Sequence, residues 1–150
     1  EGNDYSAQLE ARAAETGAGC LRICGQVEAE LSELEADERV AFLEDMGVSE
    51  PGLARLSRAA YQLLNLQTFF TAGEIEVKAW TIHAGDLAPK AAGEIHSDFE
   101  SNFIRAEIIS FADYIELGGE SAAKNKGVMR VEGKEYKMQD GDVVHFRVGV

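Results

Sequence analysis

The chain has 150 residues, 45% of them apolar, which is enough for one medium domain or two small ones with a real core and argues against wholesale disorder. Its formal net charge is −13, which argues against broad phosphate binding, because such binding rests on Lys and Arg displacing counterions. No apolar run approaches the roughly 18 residues of a transmembrane helix, and no signal-peptide pattern opens the chain, so no membrane partner is expected, and with that charge no DNA.

The first residue is Glu1, not Met, and the chain reads as a piece of a longer protein. Residues 4–15, "DYSAQLEARAAE", have helical composition, with Gly17 as a stop signal. "CLRICG" reads as a short strand with Leu21 and Ile23 on one face and Cys20 and Cys24 on the other. That geometry sets the two sulfurs about 13 Å apart, too far for a disulfide. No C-x-x-C or His-rich pattern accompanies them, so no metal site is expected. Reduced, buried thiols of a cytoplasmic protein fit best. "QVEAELSEL" then places Val27, Leu31 and Leu34 at helical spacing. Asp37 suits the cap of a helix carrying Val40, Leu43 and Met46 and ended by Gly47. Ser49 suits the cap of the next, with Pro51 in its first turn and an apolar stripe of Leu53, Leu56, Ala60, Leu63 and Leu64.

After Asn65 the period changes. "LQTFFTAG" and "VKAWTIHAG" read as a hairpin joined near Gly73, and "APKAAGEIHSDF" as a helix entered through Pro89. "FIRAEIISF" is a further strand. "FADYIELGG" and "SAAKNKG" are short helical turns ended by glycines. "VMRVEGKEYKM" suggests a hairpin about Gly133, and "QDGDVVHFRVGV" a turn and a final strand. This order suggests a curled mixed sheet embracing one helix, an α+β fold.

No motif in the chain carries a known chemistry. "GGESAAKN" lacks the second Gly before its Lys and the Ser or Thr after it, so it is not a P-loop. There is no G-x-S-x-G, H-E-x-x-H or kinase set. "DGD" at 140–142 lacks the other ligands of a calcium loop and reads as a tight turn. "GEIHSDFESNFIRAE", Gly93 to Glu107, gathers a His, an Asp, an Arg and three Glu. His96 and Asp98 point to different sides of a helix and make poor ligand mates. Arg105 and Glu107 alternate with Ile104, Ala106 and Ile108, which reads as an outward surface ion pair of small value. No catalytic residue is assigned. Charge is uneven: Glu28 to Glu50 holds nine acids and one base, whereas Lys124 to Lys137 holds five bases and two acids. Lys124, Lys126, Arg130, Lys134 and Lys137, near aromatic strands, are the candidate residues for RNA or partner binding.

"VEAELSELEADERVAFLEDMGVSEPGLARLSRAAYQLLNLQTFFTAGEIEVKAWTI", "APKAAGEIHSDFESNFIRAE" and "EGKEYKMQDGDVVHF" together resemble the C-terminal part of the YchF-type family. These are Obg-related, GTPase-like proteins that prefer ATP. The resemblance runs from at least Cys20 to Val150. It implies that residues 1–34 are the C-terminal remnant of a nucleotide-binding P-loop α/β G domain, 35–65 connecting helices and 66–150 a TGS domain with the ubiquitin-like β-grasp fold. "RICGQVEAEL" matches the family's last G-domain strand and base-side loop, so Cys24, Gly25 and Gln26 inherit a place near the nucleotide base in the complete protein, and Glu28 marks the motif. Gly25 stands where the family usually has Ala. Glu1 would end the family's N-x-x-E base-specificity motif. The P-loop, the switch segments and the inserted coiled coil are not in this sequence. Phosphate binding and Mg²⁺ placement need those parts. ATP or GTP with Mg²⁺ is therefore expected in the complete protein and no cofactor in this fragment, which is expected to be inactive alone. The family's link to ribosomes implies a ribosome, RNA or protein partner for the TGS domain. The other reading is a scaffold that packs on the G domain and positions it. An unpaired strand within 1–34 would leave an edge that invites self-association.

Overall fold

The computed structural model describes residues 2–73 and 75–149, so Glu1, Glu74 and Val150, with the N-x-x-E reading of Glu1, lie outside the described residues. Two compact units divide the chain, Glu1–Leu64 and Asn65–Val150.

The first unit is helical: α1 (Asp4–Thr16), α2 (Gly25–Glu33), α3 (Ala36–Asp45) and α4 (Gly52–Leu63). Asn3 caps α1 by accepting from the Ser6 N–H, and Gly17, in the left-handed region at φ 68°, ends it. That conformation is open to glycine without a Cβ clash. Glu35, not Asp37, precedes α3, and Glu38 closes a capping box with it. Pro51, not Ser49, precedes α4. The strand expected at Cys20–Cys24 does not form. A strand exists only by pairing its backbone with a neighbour, and the described residues of this unit supply none. The segment stays irregular, and both cysteines are exposed free thiols, not buried ones. Among the described residues of this unit Leu31 is the buried large apolar one, while Leu53, Leu56, Leu63 and Leu64 of the α4 stripe remain exposed.

The second unit is built on a five-stranded sheet of β1 (Leu66–Ala72), β2 (Val77–His83), β3 (Phe103–Ser110), β4 (Arg130–Glu132) and β5 (Asp142–Val148), in the spatial order β2-β1-β5-β3-β4. The hairpin of β1 and β2 is antiparallel, β1 and β5 are parallel at the centre, and β3 lies antiparallel to both β5 and β4. Helix α5 (Ala88–Ile95) crosses one face. Its Ala88, Ala91 and Ala92 are fully buried with Phe69, Ile82, Ala106, Ile108, Val144 and Phe146, and Trp80, Ile95 and Phe99 pack at the edge. Three small residues on the inward face of α5 let it approach the sheet closely. One helix laid across a mixed sheet with parallel central strands is the β-grasp arrangement.

The short α6 (Ser97–Ser101) begins at His96, whose Nδ1 accepts from the Asp98 N–H at 3.2 Å. His96 is thus a helix cap. Phe103 is buried, but Ile104 is exposed. On the opposite face of the sheet, α7 (Phe111–Leu117) and α8 (Glu120–Lys126) bring Tyr114 and Glu120 against Glu107 and His145. Their cover explains a further correction: Glu107, expected at the surface, is only 9% exposed. The alternation with apolar neighbours holds, but this sheet is lined on both sides. Another correction concerns Gly133. The segment after it forms no strand and is held by an isolated bridge between Lys137 and Leu87. The buried Asp142 explains why: its Oδ2 accepts from the Gln139 N–H and from the Tyr136 hydroxyl, both at 2.9 Å, which folds 136–139 back on itself. The "DGD" turn is structural, as its Asp140 accepts from the Thr68 N–H at 2.8 Å and Gly141 N–H donates to the Thr68 carbonyl at 2.8 Å.

Candidate functional site

Cys24, Gly25 and Gln26 sit at the start of α2. Cys24 is the extended residue before the helix, with no side-chain cap, and Cys24, Gly25 and Gln26 are exposed. Backbone N–H groups at such an end have no partner within the helix. A Cβ added at Gly25 would meet nothing within 4 Å, so an Ala fits the same backbone. Gln26 Nε2 donates to Glu30 at 2.9 Å along the helix. Glu28, further along α2, is bound into the fold, since its carboxylate accepts from the Gly52 N–H at 2.7 Å and the Leu53 N–H at 3.3 Å. It therefore caps α4 across 24 positions of sequence. A Cβ at Gly52 would stand 2.8 Å from both Glu28 Oε1 and Ile23 Cγ2. Spacing rules see only local caps, so nothing in the sequence pattern pointed to this one.

The five candidate cations are all exposed but do not form one strip. Lys124 and Lys126 lie in the last turn of α8. Lys134 and Lys137 line an open groove of about 550 Å³ with Glu132, Glu135, Tyr136 and Gln139. Arg130 is committed to the fold. It donates to the Tyr136 hydroxyl at 3.1 Å and lies 3.5 Å from Asp142 and 3.6 Å from Glu132. Burial, and next the hydrogen bond to Asp142, push the Tyr136 phenol above its usual pKa. Arg130 thus anchors the loop that carries Lys134 and Lys137.

The ion pair expected between Arg105 and Glu107 is present, but sequence reasoning missed its stronger partner, Arg147. Arg105 and Arg147 stand opposite each other in the β3–β5 register and share Glu107. Arg147 donates twice to Glu107 Oε2, at 3.1 and 2.8 Å, and Arg105 reaches Oε1 at 3.4 Å. The hydrogen bond from Arg147 holds the Glu107 carboxyl below its ordinary range against the opposing effect of burial. His145 faces Glu107 across the strands, whereas His83 and His96 lie elsewhere. No sequence signal joins Arg147 to Glu107, 40 positions apart.

Comparison with known proteins extends this picture. Residues 66–149 match the family model YchF-GTPase_C, described as a protein of unknown function (DUF933). The chain is 53% identical over 150 residues to the ribosome-binding ATPase YchF of Haemophilus influenzae, covering 100% of this chain and 41% of that protein. It is 50% identical over 149 residues to the protein of the same name from Bacillus subtilis, covering 99% of this chain and 41% of that protein. It is 47% identical over 133 residues to Obg-like ATPase 1 of Caenorhabditis elegans, covering 89% of this chain and 33% of that protein. Among solved structures, the YchF GTPase of Schizosaccharomyces pombe aligns with a TM-score of 0.81 at 32% identity, over 97% of this chain and 39% of that one. The chain thus spans about two-fifths of the length of these bacterial relatives.

Proposed function

The chain belongs to the YchF family, and from that premise we propose that it is the C-terminal part of a cytoplasmic, ribosome-associated nucleotide hydrolase. In this reading 1–34 closes the G domain, 35–65 connects, and 66–150 is a TGS module that regulates the hydrolase by docking on ribosomal RNA or protein. The supporting observation is the 53% identity, across all 150 residues, to a protein named a ribosome-binding ATPase. Among the described residues no helix is long and apolar enough to cross a membrane.

The residues present fit one side of a nucleotide only. The exposed first turn at Cys24, Gly25 and Gln26 offers backbone donors and an amide side chain suited to a base edge. The sequence holds no loop of the kind that cradles phosphates. Bound to the complete protein, ATP with Mg²⁺ supplies the transferable phosphoryl group. This chain's part is to hold the base edge and keep the start of α2 in place, which Glu28 does through α4.

The docking candidates are Lys124, Lys126, Lys134 and Lys137, with Arg130 holding the loop that carries the last two. The test is to replace these four lysines by Glu in the full-length protein. Lost co-sedimentation with ribosomes at unchanged ATPase rate is the expected result, and unchanged co-sedimentation overturns the docking role. Leu53, Leu56, Leu63 and Leu64, exposed along α4, favour a second reading in which this region packs against the G domain as a scaffold. That reading gains if the lysine variant sediments normally while Leu56→Glu lowers the ATPase rate.

A further inference from the structure

Glu107 on β3, Glu120 at the start of α8 and His145 on β5 converge from three elements. One ligand-type atom of each lies within 4.8 Å of the others. Glu107 and His145 are register partners, so their side chains leave the same face of the sheet. Together with Tyr114 and Met129 the three line a cavity of about 10 Å³. That is room for a single water-sized occupant.

The bonding around the cluster is unequal. Glu107 is nine-tenths buried, and its Oε2 is taken by Arg147. Its Oε1 receives only the long Arg105 contact of 3.4 Å, which leaves a lone pair unused. Arg147 thus orients the carboxylate from behind, as hydrogen-bonding partners of metal-bound carboxylates do. Among the described residues, the side chains of Glu120 and His145 make no hydrogen bond or ion pair within 4 Å; Glu120 is half-buried and feels the Arg147 charge only at longer range. Two ligand groups without a hydrogen-bond partner therefore stand beside one that is already positioned.

We infer that Glu107, Glu120 and His145 form a binding site for one first-row divalent metal ion of the Zn²⁺ type, bridging α8 to the β3–β5 face. One imidazole nitrogen and two carboxylate oxygens suit that class. Calcium and magnesium need about six oxygen ligands or near-octahedral oxygen geometry, which this set lacks. Metal–ligand bonds of about 2.0–2.2 Å place donors about 3.5 Å apart, so the cluster closes by about an ångström on binding. The exposed His145 and half-buried Glu120 have the freedom to make that movement, and water fills the remaining positions. The inference is independent of the ribosome-docking reading.

The experiment uses the full chain carrying Cys20→Ser and Cys24→Ser, which removes the exposed thiols as competing ligands. Zn²⁺ is titrated by calorimetry and Co²⁺ by its visible absorption. One ion per chain is expected. His145→Ala and Glu120→Gln, at positions that leave the core intact, each weaken binding at least tenfold. His96→Ala leaves it unchanged. Zn²⁺ also slows amide exchange across Glu120–Lys126. The assignment is overturned by the absence of saturable one-to-one binding, by equal affinity in the His145→Ala chain, or by unchanged exchange in α8 when the ion is bound.

Discussion

The two units contain similar apolar material and use it differently. In Asn65–Val150, Phe69 is wholly buried and meets Phe146 edge-on at 5.7 Å and Trp80 in a stack at 6.4 Å. In Glu1–Leu64, α4 has an equally regular stripe, yet Leu53 is 61% and Leu63 81% exposed. Amphipathic spacing creates a helix face in both cases, but burial depends on what stands opposite. The sheet faces α5 with side chains from β1, β2, β3 and β5, while Leu31 alone is the buried apolar residue of the helical unit among the described residues. Regular secondary structure and a core are thus separate achievements. Of the two, this chain realises the second in its β-grasp unit.

The sharpest way to break that contrast is a pair of truncations. Phe69→Ala removes a fully buried ring and is expected to cost about 3–5 kcal/mol of stability. Leu53→Ala removes an exposed side chain and is expected to change stability by about 0.5 kcal/mol or less. Urea unfolding of both variants, followed by tryptophan fluorescence and by circular dichroism, reads the difference. Similar costs at the two positions would show that α4 is packed after all, and the contrast would fail.

The same contrast explains what is legible in the sequence. Period-two alternation locates β1, β2, β3 and β5, and Pro89 locates the start of α5, because these signals are local. The strand expected at Cys20–Cys24 and the hairpin expected about Gly133 fail for a common reason. Each needs a backbone partner that spacing cannot supply. Lys137 bridges to Leu87 and 136–139 curls around Asp142 instead. The family resemblance carries the nucleotide-side reading of Cys24–Gln26, which composition alone does not touch. Glu28 is visible as a motif residue, but its role as cap of α4 lies 24 positions away. Of Glu107, Glu120 and His145, only Glu107 stands out in the sequence, as an ion-pair residue, because the meeting place of the three exists only after the sheet and α8 have formed.

An intermediate effect is expected where charge enters the well-packed unit. Arg147→Ala leaves the Glu107 carboxylate buried with only Arg105 at 3.4 Å. Solvent screens the half-exposed Arg147, so the loss is smaller than for a fully buried pair and larger than for a surface one, and it is read as a lowered melting temperature. Arg147→Lys restores the charge but not the two-pronged contact to Oε2, so it recovers only part of the loss. Thermal melts of the three chains rank wild type, Lys and Ala in that order. Equal melting of wild type and Arg147→Ala would mean that Glu107 is solvated, and the two-sided cover of the sheet would have to be withdrawn.

The smallest effect belongs to the sparsely packed unit, and it is the most specific. Glu28→Gln keeps an oxygen acceptor for the Gly52 N–H but removes the negative charge at the start of α4. Glu28→Ala removes both. Expected losses are a few tenths of a kcal/mol for Gln and about 1 kcal/mol for Ala, as at other helix caps. Gly52→Ala tests the same joint from the other side, since its Cβ would stand 2.8 Å from both Glu28 and Ile23. Because so little apolar surface is buried in this unit, these backbone-to-carboxylate bonds are a large part of what ties α2 to α4. Amide exchange therefore separates the units: each variant speeds exchange at Gly52–Leu53 and along α2 while leaving Phe103–Ser110 unchanged. Faster exchange in β3 as well would show that the two units unfold together, and uniform protection everywhere would remove Glu28 from the joint.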